Sequence, residues 1–285
     1  EPYTLGTELS RLYGVRPEEV CVTNGATEAI YLIAQAFRGS RSRVWIPTFS
    51  EYADACRLHA HRVEGISSVE ALTEEEGICW LCNPNNPTGQ TWEADTLRRL
   101  ITQYPRTLFV IDQSLFTEKE VLSVAETVAR PNVLLLHSMT KCFAVPGLRL
   151  GAVTGNEALL QRIRACRMPW SVNALAVEAG QYLLHHLGEY RMEVSALLAE
   201  RKRVVEGLGA AGGVDALPSD THYFLARLLK GSASDLKAYL AERHGLLIRD
   251  ASNFEGLDTR YFRIAIQTEE ENNLLIEGIR EWIRG

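Results

Sequence analysis

No uninterrupted apolar run approaches the roughly 18 residues that a membrane-spanning helix requires, and no block of lysines and arginines offers a track for a phosphate backbone. Basic residues number 30 against 36 acidic ones, a formal net charge of −6, so neither a bilayer nor a nucleic acid is expected as a partner. The opening Glu1-Pro2-Tyr3 has no basic stretch followed by an apolar one, so no secretory signal is read there and a cytoplasmic location is expected. Cysteine is sparse. Cys21, Cys56, Cys79, Cys82, Cys142 and Cys166 are scattered through apolar segments, as reduced core thiols are, rather than spaced as a disulfide framework. Cys79 and Cys82 have C-x-x-C spacing, but in a strand residues three apart point to opposite faces, so no metal or redox pair is expected. The histidines form no metal-ligating set, and no internal repeat or low-complexity linker occurs. Hydrophobic residues at 46% and charged residues at 23% exclude disordered, collagen-like and coiled-coil chains. A length of 285 residues fits one large α/β domain or two unequal ones.

What is present is an alternation of short apolar runs with helix-like stretches, the pattern of strand, crossover helix and parallel strand. Residues 20–22, 43–46, 78–82, 107–111 and 132–137 read as strands covered on both faces; residues 26–37, 51–59 and 93–104 read as the helices between them. A further strand over 148–154, reached through Pro146-Gly147 instead of a helix, is expected to run antiparallel. From 171 to about 208 the pattern is helical, with a break near Gly188, and a smaller unit follows the run Gly209-Ala210-Ala211-Gly212-Gly213. That unit should hold strands at 223–228, 246–249 and 261–266 and helices at 234–244 and 269–283. The expected fold is therefore a three-layer, mostly parallel α/β sheet with helices on both faces, over residues 14–186, plus a smaller α+β domain over 187–285 joined by the first helix, 1–13. That helix starts almost at residue 1, which leads us to expect residues upstream of it.

Four features bear on chemistry. Thr23-Asn24-Gly25-Ala26-Thr27 lies between a strand and a helix, where free backbone N–H groups and the dipole favour an anion such as phosphate. Cys82-Asn83-Pro84-Asn85-Asn86-Pro87-Thr88-Gly89 is stiffened by its prolines at a strand's carboxyl end, where α/β proteins bind ligands, and its amides can donate. Asp112 ends the run Leu108-Phe109-Val110-Ile111; a carboxylate there needs a cationic partner, and a protonated ring nitrogen would serve. Finally, Ser138-Met139-Thr140-Lys141-Cys142-Phe143-Ala144-Val145-Pro146-Gly147-Leu148-Arg149-Leu150-Gly151 sets Lys141 after an apolar strand, where burial would lower its pKa and expose the neutral amine that forms an imine. Arg149 and Ser138 suit the oxygens of a phosphate. Taken singly, each also reads as an ordinary turn, cap or solvated charge.

Together and in this order, these segments resemble the pyridoxal-phosphate enzymes of aminotransferase fold type I, class II, in the branch of histidinol-phosphate aminotransferases and threonine-phosphate decarboxylases. The resemblance covers nearly the whole chain. It implies pyridoxal 5′-phosphate as cofactor, linked covalently to Lys141, with Asp112 on its ring nitrogen, Asn86 on its ring oxygen and Phe49 stacked on the ring. Gly25, Ala26, Thr27, Ser138 and Arg149 would hold the phosphate. On the substrate side it implies Arg249 and Arg263, which interrupt apolar strands and call for anions, together with Asn173 and His222. The segments 138–151, 169–175 and 248–254 look more like the decarboxylases. Leu115 stands where the aminotransferases usually carry a Tyr; Gln267 stands where decarboxylases often carry Arg. The resemblance thus implies decarboxylation of a small phosphorylated amino acid, L-threonine O-3-phosphate, in cobalamin synthesis. Transamination of histidinol phosphate is the alternative, and a non-catalytic pyridoxal-phosphate-binding regulator the remote one. It further implies a homodimer and, upstream of Glu1, a segment bearing a Tyr that covers the substrate.

Overall fold

The computed structural model describes residues 2–73, 75–190 and 193–285. Its larger sheet has seven strands, β1 (Val20–Thr23), β2 (Arg41–Trp45), β3 (Arg62–Ile66), β4 (Gly77–Cys82), β5 (Thr107–Asp112), β6 (Val133–Ser138) and β7 (Gly151–Gly155), in the order β1-β7-β6-β5-β4-β2-β3. Strands β2 to β6 pair in parallel; β7 alone is reversed, antiparallel to both β6 and β1. This is the expected mostly parallel sheet, with the antiparallel strand where it was anticipated. The continuous apolar runs have a plain cause: β4 and β5 are buried at every residue, because helices cover both faces. Ile78, Trp80 and Cys82 of β4 pack with Ile33, Tyr52 and Ile163 from α2 (Gly25–Ala36), α3 (Glu51–Leu58) and α7 (Glu157–Cys166). Cys79 and Leu81 pack instead with Leu97, Ile101 and Phe109, beneath α4 (Ala94–Gln103) and near α5 (Val124–Val128). The two cysteines of the C-x-x-C thus lie in separate cores, both free and buried.

Several elements departed from the sequence reading, which gave no helix for α5 or α7 and no strand over 214–216. The strand β3 was not foreseen, because it is an edge strand with only Ile66 buried and charged Arg62 and Glu64 among its residues, a composition that guards a sheet edge. The expected strand over 246–249 shortens to β10 (Arg249–Asp250). The grouping of the first helix also changes. Helix α1 (Tyr3–Tyr13) buries Leu5 and Leu9 with Val20, Leu150 and Ala176, so it lies on the large sheet beside α8 (Ala174–His185) and not with the small unit.

The second sheet is antiparallel, in the order β10-β11-β9-β8, with β8 (Val214–Ala216), β9 (Tyr223–Leu228) and β11 (Tyr261–Ala265). Phe224, Phe262 and Ile264 on one face pack under α9 (Val194–Ala211), α10 (Ala233–His244) and α11 (Glu269–Arg284), the last opened by a reciprocal capping box between Thr268 and Glu271. The turn before β9 ties this sheet to the large one. The Asp220 N–H donates to Gly89 O at 2.8 Å, Asp220 Oδ2 accepts from the Thr91 N–H at 2.8 Å, and the Thr221 hydroxyl donates to Phe116 O at 2.7 Å. The Tyr223 hydroxyl adds a bond to Asn85 O at 2.9 Å.

In β6, His137 stacks on Tyr13 at 5.2 Å with Nε2 3.0 Å from Thr154 Oγ1. Burial pushes its imidazole down to about 4, against about 6.5 in an unfolded chain. The unfolded chain therefore binds the extra proton, and stability is full above about pH 6.5 and erodes as pH falls toward 4. Urea unfolding between pH 7 and pH 5 should show that decline, and a His137→Gln variant should lessen it, with His222, pushed down to the same value, supplying a further share; parallel slopes would remove His137 as a source.

Candidate active site

At the carboxyl ends of β4, β5 and β6 lies a cavity of about 200 Å³. Eight of the residues singled out in the sequence line it: Ala26, Thr27, Phe49, Asn86, Asp112, Ser138, Lys141 and Arg149. They converge because parallel strands end on one side of the sheet, whatever their separation along the chain.

Asp112 is 6% exposed and both its oxygens are engaged. Oδ2 accepts from the Tyr52 hydroxyl at 2.7 Å, and Oδ1 accepts from the Ser114 N–H at 2.9 Å. Arg263, which is not on this cavity's wall but lines a separate cleft with Arg249, donates from Nη1 to Asn86 Oδ1 at 2.5 Å, which fixes that amide and leaves its NH₂ group to face elsewhere. Behind Asn86 the loop is braced: Asn85 donates to Pro47 O and Thr88 Oγ1, both at 2.9 Å, and accepts from the Thr48 hydroxyl at 2.8 Å.

Lys141 corrects one expectation. The strand gives way at once to a short helix, α6 (Met139–Cys142), which turns Lys141 out into the open cavity, so its side chain is exposed and burial is not what prepares it. Among the described residues the Lys141 ammonium has no hydrogen bond and no ion pair, and it is therefore uncommitted. Arg149, in the left-handed region at φ 56°, is exposed, and its Nη1 donates to Pro146 O at 3.1 Å. Its guanidinium crosses Gly25 so closely that a Cβ on Gly25 would meet Nη2 at 2.8 Å. Gly151 serves the same corner. A Cβ there would stand 2.6 Å from the Ala26 nitrogen, pushing β7 off the start of α2.

The remaining residues lie outside the cavity wall. Arg249 pairs in register with Arg263 and opens on a neighbouring cleft of about 390 Å³ that shares Phe49; the only hydrogen bond of its guanidinium among the described residues is to Asn253 Oδ1, at 3.0 Å. Asn173 is spent on structure. Its Oδ1 caps α8 by accepting from the Ala176 N–H at 2.8 Å, and its Nδ2 donates to Leu148 O at 3.1 Å. His222 stacks on Phe116 at 4.3 Å; burial, then Lys141 and Arg263, push it down to about 4, so it is neutral near pH 7. Leu115 lines the cavity and offers no donor. Sequence reasoning passed over Tyr52, Ser114 and Thr140, all on the cavity wall. Tyr52 resembles any buried aromatic of an amphipathic helix, and hydroxyls near motifs carry little signal.

The donor set fits pyridoxal phosphate. The first turn of α2, Ser138 and Arg149 form an anion cradle at one end, and Thr140 Oγ1 and Ser114 Oγ are buried without a hydrogen-bond partner among the described residues. Asp112 supplies a carboxylate for a ring nitrogen, Asn86 an amide for a ring oxygen, and Lys141 an uncommitted amine.

Comparison with known proteins agrees with this geometry. The family described as aminotransferase class I and II matches residues 2–279. The threonine-phosphate decarboxylase of Salmonella typhimurium is 29% identical, across 99% of this chain and 82% of its own. A histidinol-phosphate aminotransferase of a Thermoanaerobacter species is 30% identical, across 97% and 81%. Among solved structures, the L-threonine-O-3-phosphate decarboxylase of Porphyromonas gingivalis superposes with a TM-score of 0.97 at 39% identity, covering 100% of this chain and 90% of that one. A family match running almost from end to end, over a site built of the parts such a family uses, leaves one conclusion: the chain belongs to aminotransferase class I and II.

Proposed function

We propose that the chain is a pyridoxal-phosphate-dependent decarboxylase of L-threonine O-3-phosphate, releasing carbon dioxide and an aminopropanol phosphate of the kind used in cobalamin synthesis. The observation that carries the reading is the cavity itself, an uncommitted Lys141 amine with Asp112, Asn86 and an anion cradle around it. The 39% identity over the full chain to a solved decarboxylase of that substrate supports the choice. Pyridoxal phosphate, when bound, supplies an electron sink for the pair released as a bond at the substrate's α-carbon breaks. Arg263 and Arg249 hold the substrate's two anions; the fork of each guanidinium suits a carboxylate or phosphate. Asp112 keeps a proton on the ring nitrogen, and Lys141 Nζ delivers the proton that takes the place of the departing carboxylate at the α-carbon. Leu115 supports the lyase over the transaminase because it removes a phenol that aminotransferases of this branch usually direct at the cofactor.

The deciding experiment is carbon dioxide release from L-threonine O-3-phosphate with pyridoxal phosphate and no keto acid. Release supports the decarboxylase. Glutamate formation from histidinol phosphate and 2-oxoglutarate supports the aminotransferase instead, and neither activity supports a non-catalytic regulator. Removing the cradle's cation by Arg149→Ala should weaken pyridoxal phosphate binding by about 1.5–3 kcal/mol, the worth of a charge-assisted hydrogen bond, read by fluorescence titration; unchanged affinity would move the phosphate elsewhere.

The same reading includes a cytoplasmic location. Among the described residues no helix is long and apolar enough to cross a membrane. A homodimer completes that reading. Tyr3, Met168 and Leu175 are apolar and each more than 70% exposed, side chains that a second copy would cover.

A further inference from the structure

The largest polar investment in the cavity wall that the proposed reaction does not explain is Tyr52. Its ring is 1% exposed and held from two sides, by Trp80 stacked at 5.8 Å and 22° and by Phe49 edge-on at 5.8 Å and 84°. A side chain so confined could have been phenylalanine. Instead it carries a hydroxyl that donates to Asp112 Oδ2, while the Ser114 N–H takes Oδ1. Each carboxylate oxygen has two lone-pair directions, so one on each oxygen is left for a ligand, and the two donors fix where those directions point.

We propose that Tyr52 is a positioning residue for Asp112: its hydroxyl locks the carboxylate's rotation so that a remaining lone pair meets the ring nitrogen of the cofactor. The inference rests on the pyridoxal-phosphate reading above and concerns a residue the sequence motifs do not mark. The titratable groups facing the phenol are Asp112 and the Cys82 thiol. Burial, then these two, drive the phenol well above its ordinary value of 10, and burial drives the thiol up to about 12. Both stay protonated through the neutral range, so Tyr52 acts there only as a donor. Ser114 meets the other oxygen through its backbone N–H, and its hydroxyl makes no bond to either.

The test is a double-mutant cycle on the full chain with Tyr52→Phe, Asp112→Asn and the double variant, read by the dissociation constant of pyridoxal phosphate and by the pH midpoint of its visible absorption band. Tyr52→Phe removes one oxygen and leaves the ring between Trp80 and Phe49; thermal unfolding of the cofactor-free variants reads the fold separately. We expect Tyr52→Phe to weaken binding about tenfold and to move the pH midpoint by more than about half a unit, and to do less than about twofold in the Asp112→Asn background. Equal losses in both backgrounds would make Tyr52 a packing residue and overturn the proposal, as would an unchanged affinity and midpoint. Native protein that binds no pyridoxal phosphate would overturn the cofactor reading itself, and this proposal with it.

Discussion

Replacing Lys141 by alanine should lower turnover by at least about 10⁴-fold, the scale of losing a residue with the two roles proposed for it, covalent anchor and proton carrier. It should also remove the visible absorption band formed with pyridoxal phosphate. The fold should survive. Lys141 is exposed, sits on a four-residue helix and makes no hydrogen bond or ion pair among the described residues, so its truncation leaves neither a void nor an orphaned partner. Circular dichroism and urea midpoint should therefore match the native protein. Borohydride reduction followed by peptide mapping gives the independent check, with label on Lys141. Label on another lysine would reject the assignment, and so would a Lys141→Ala protein that retained turnover.

Trp80→Ala should cost about 3–5 kcal/mol of stability, the range for removing a large buried aromatic. Trp80 is fully buried in the middle of β4, between β2 and β5. Its indole packs on Tyr52 at 5.8 Å, and its Nε1 donates to Ser42 Oγ at 3.4 Å. Truncation opens a cavity under α3 and removes one of the two rings that confine Tyr52. Chemical denaturation should show the loss of stability. Pyridoxal phosphate affinity should fall as well, although Trp80 is not on the cavity wall. A loss below about 1 kcal/mol would mean that the core around Trp80 collapses to fill the gap.

The buried strands β4 and β5 were legible because a strand covered on both faces must be apolar throughout, and their carboxyl-end residues stood out as the polar exceptions. Asp112, Asn86 and Ser138 were visible for that reason. The edge strand β3 was not, since it owes its place to pairing with β2 and not to burial of its own side chains. Tyr52 was hidden by the reverse effect: a polar atom on a side chain that packs as a hydrophobe leaves no mark in the pattern. Lys141 was found by its motif, but its environment was misjudged, because the turn made by α6 carries it from a buried strand to open space within three residues. Asn173 was marked by resemblance alone, and the pattern held no sign of the bonds it makes to the cap of α8 and to Leu148 O.

The reversed strand β7 has a thermodynamic consequence. Running against its neighbours, it brings its first residues, not its last, to the rim where the other strands end. The anion cradle is thus assembled from the start of α2 on one side and, more than a hundred residues later in the chain, the end of β6 and the approach to β7 on the other, parts that touch only once the sheet is closed. A partly folded chain lacks that arrangement, so on the proposed function pyridoxal phosphate would bind the folded chain in preference to the unfolded one. By mass action it then adds stability that grows with its free concentration, about 2.7 kcal/mol at a hundredfold excess over the dissociation constant. For this chain, cofactor supply and resistance to unfolding are one linked equilibrium.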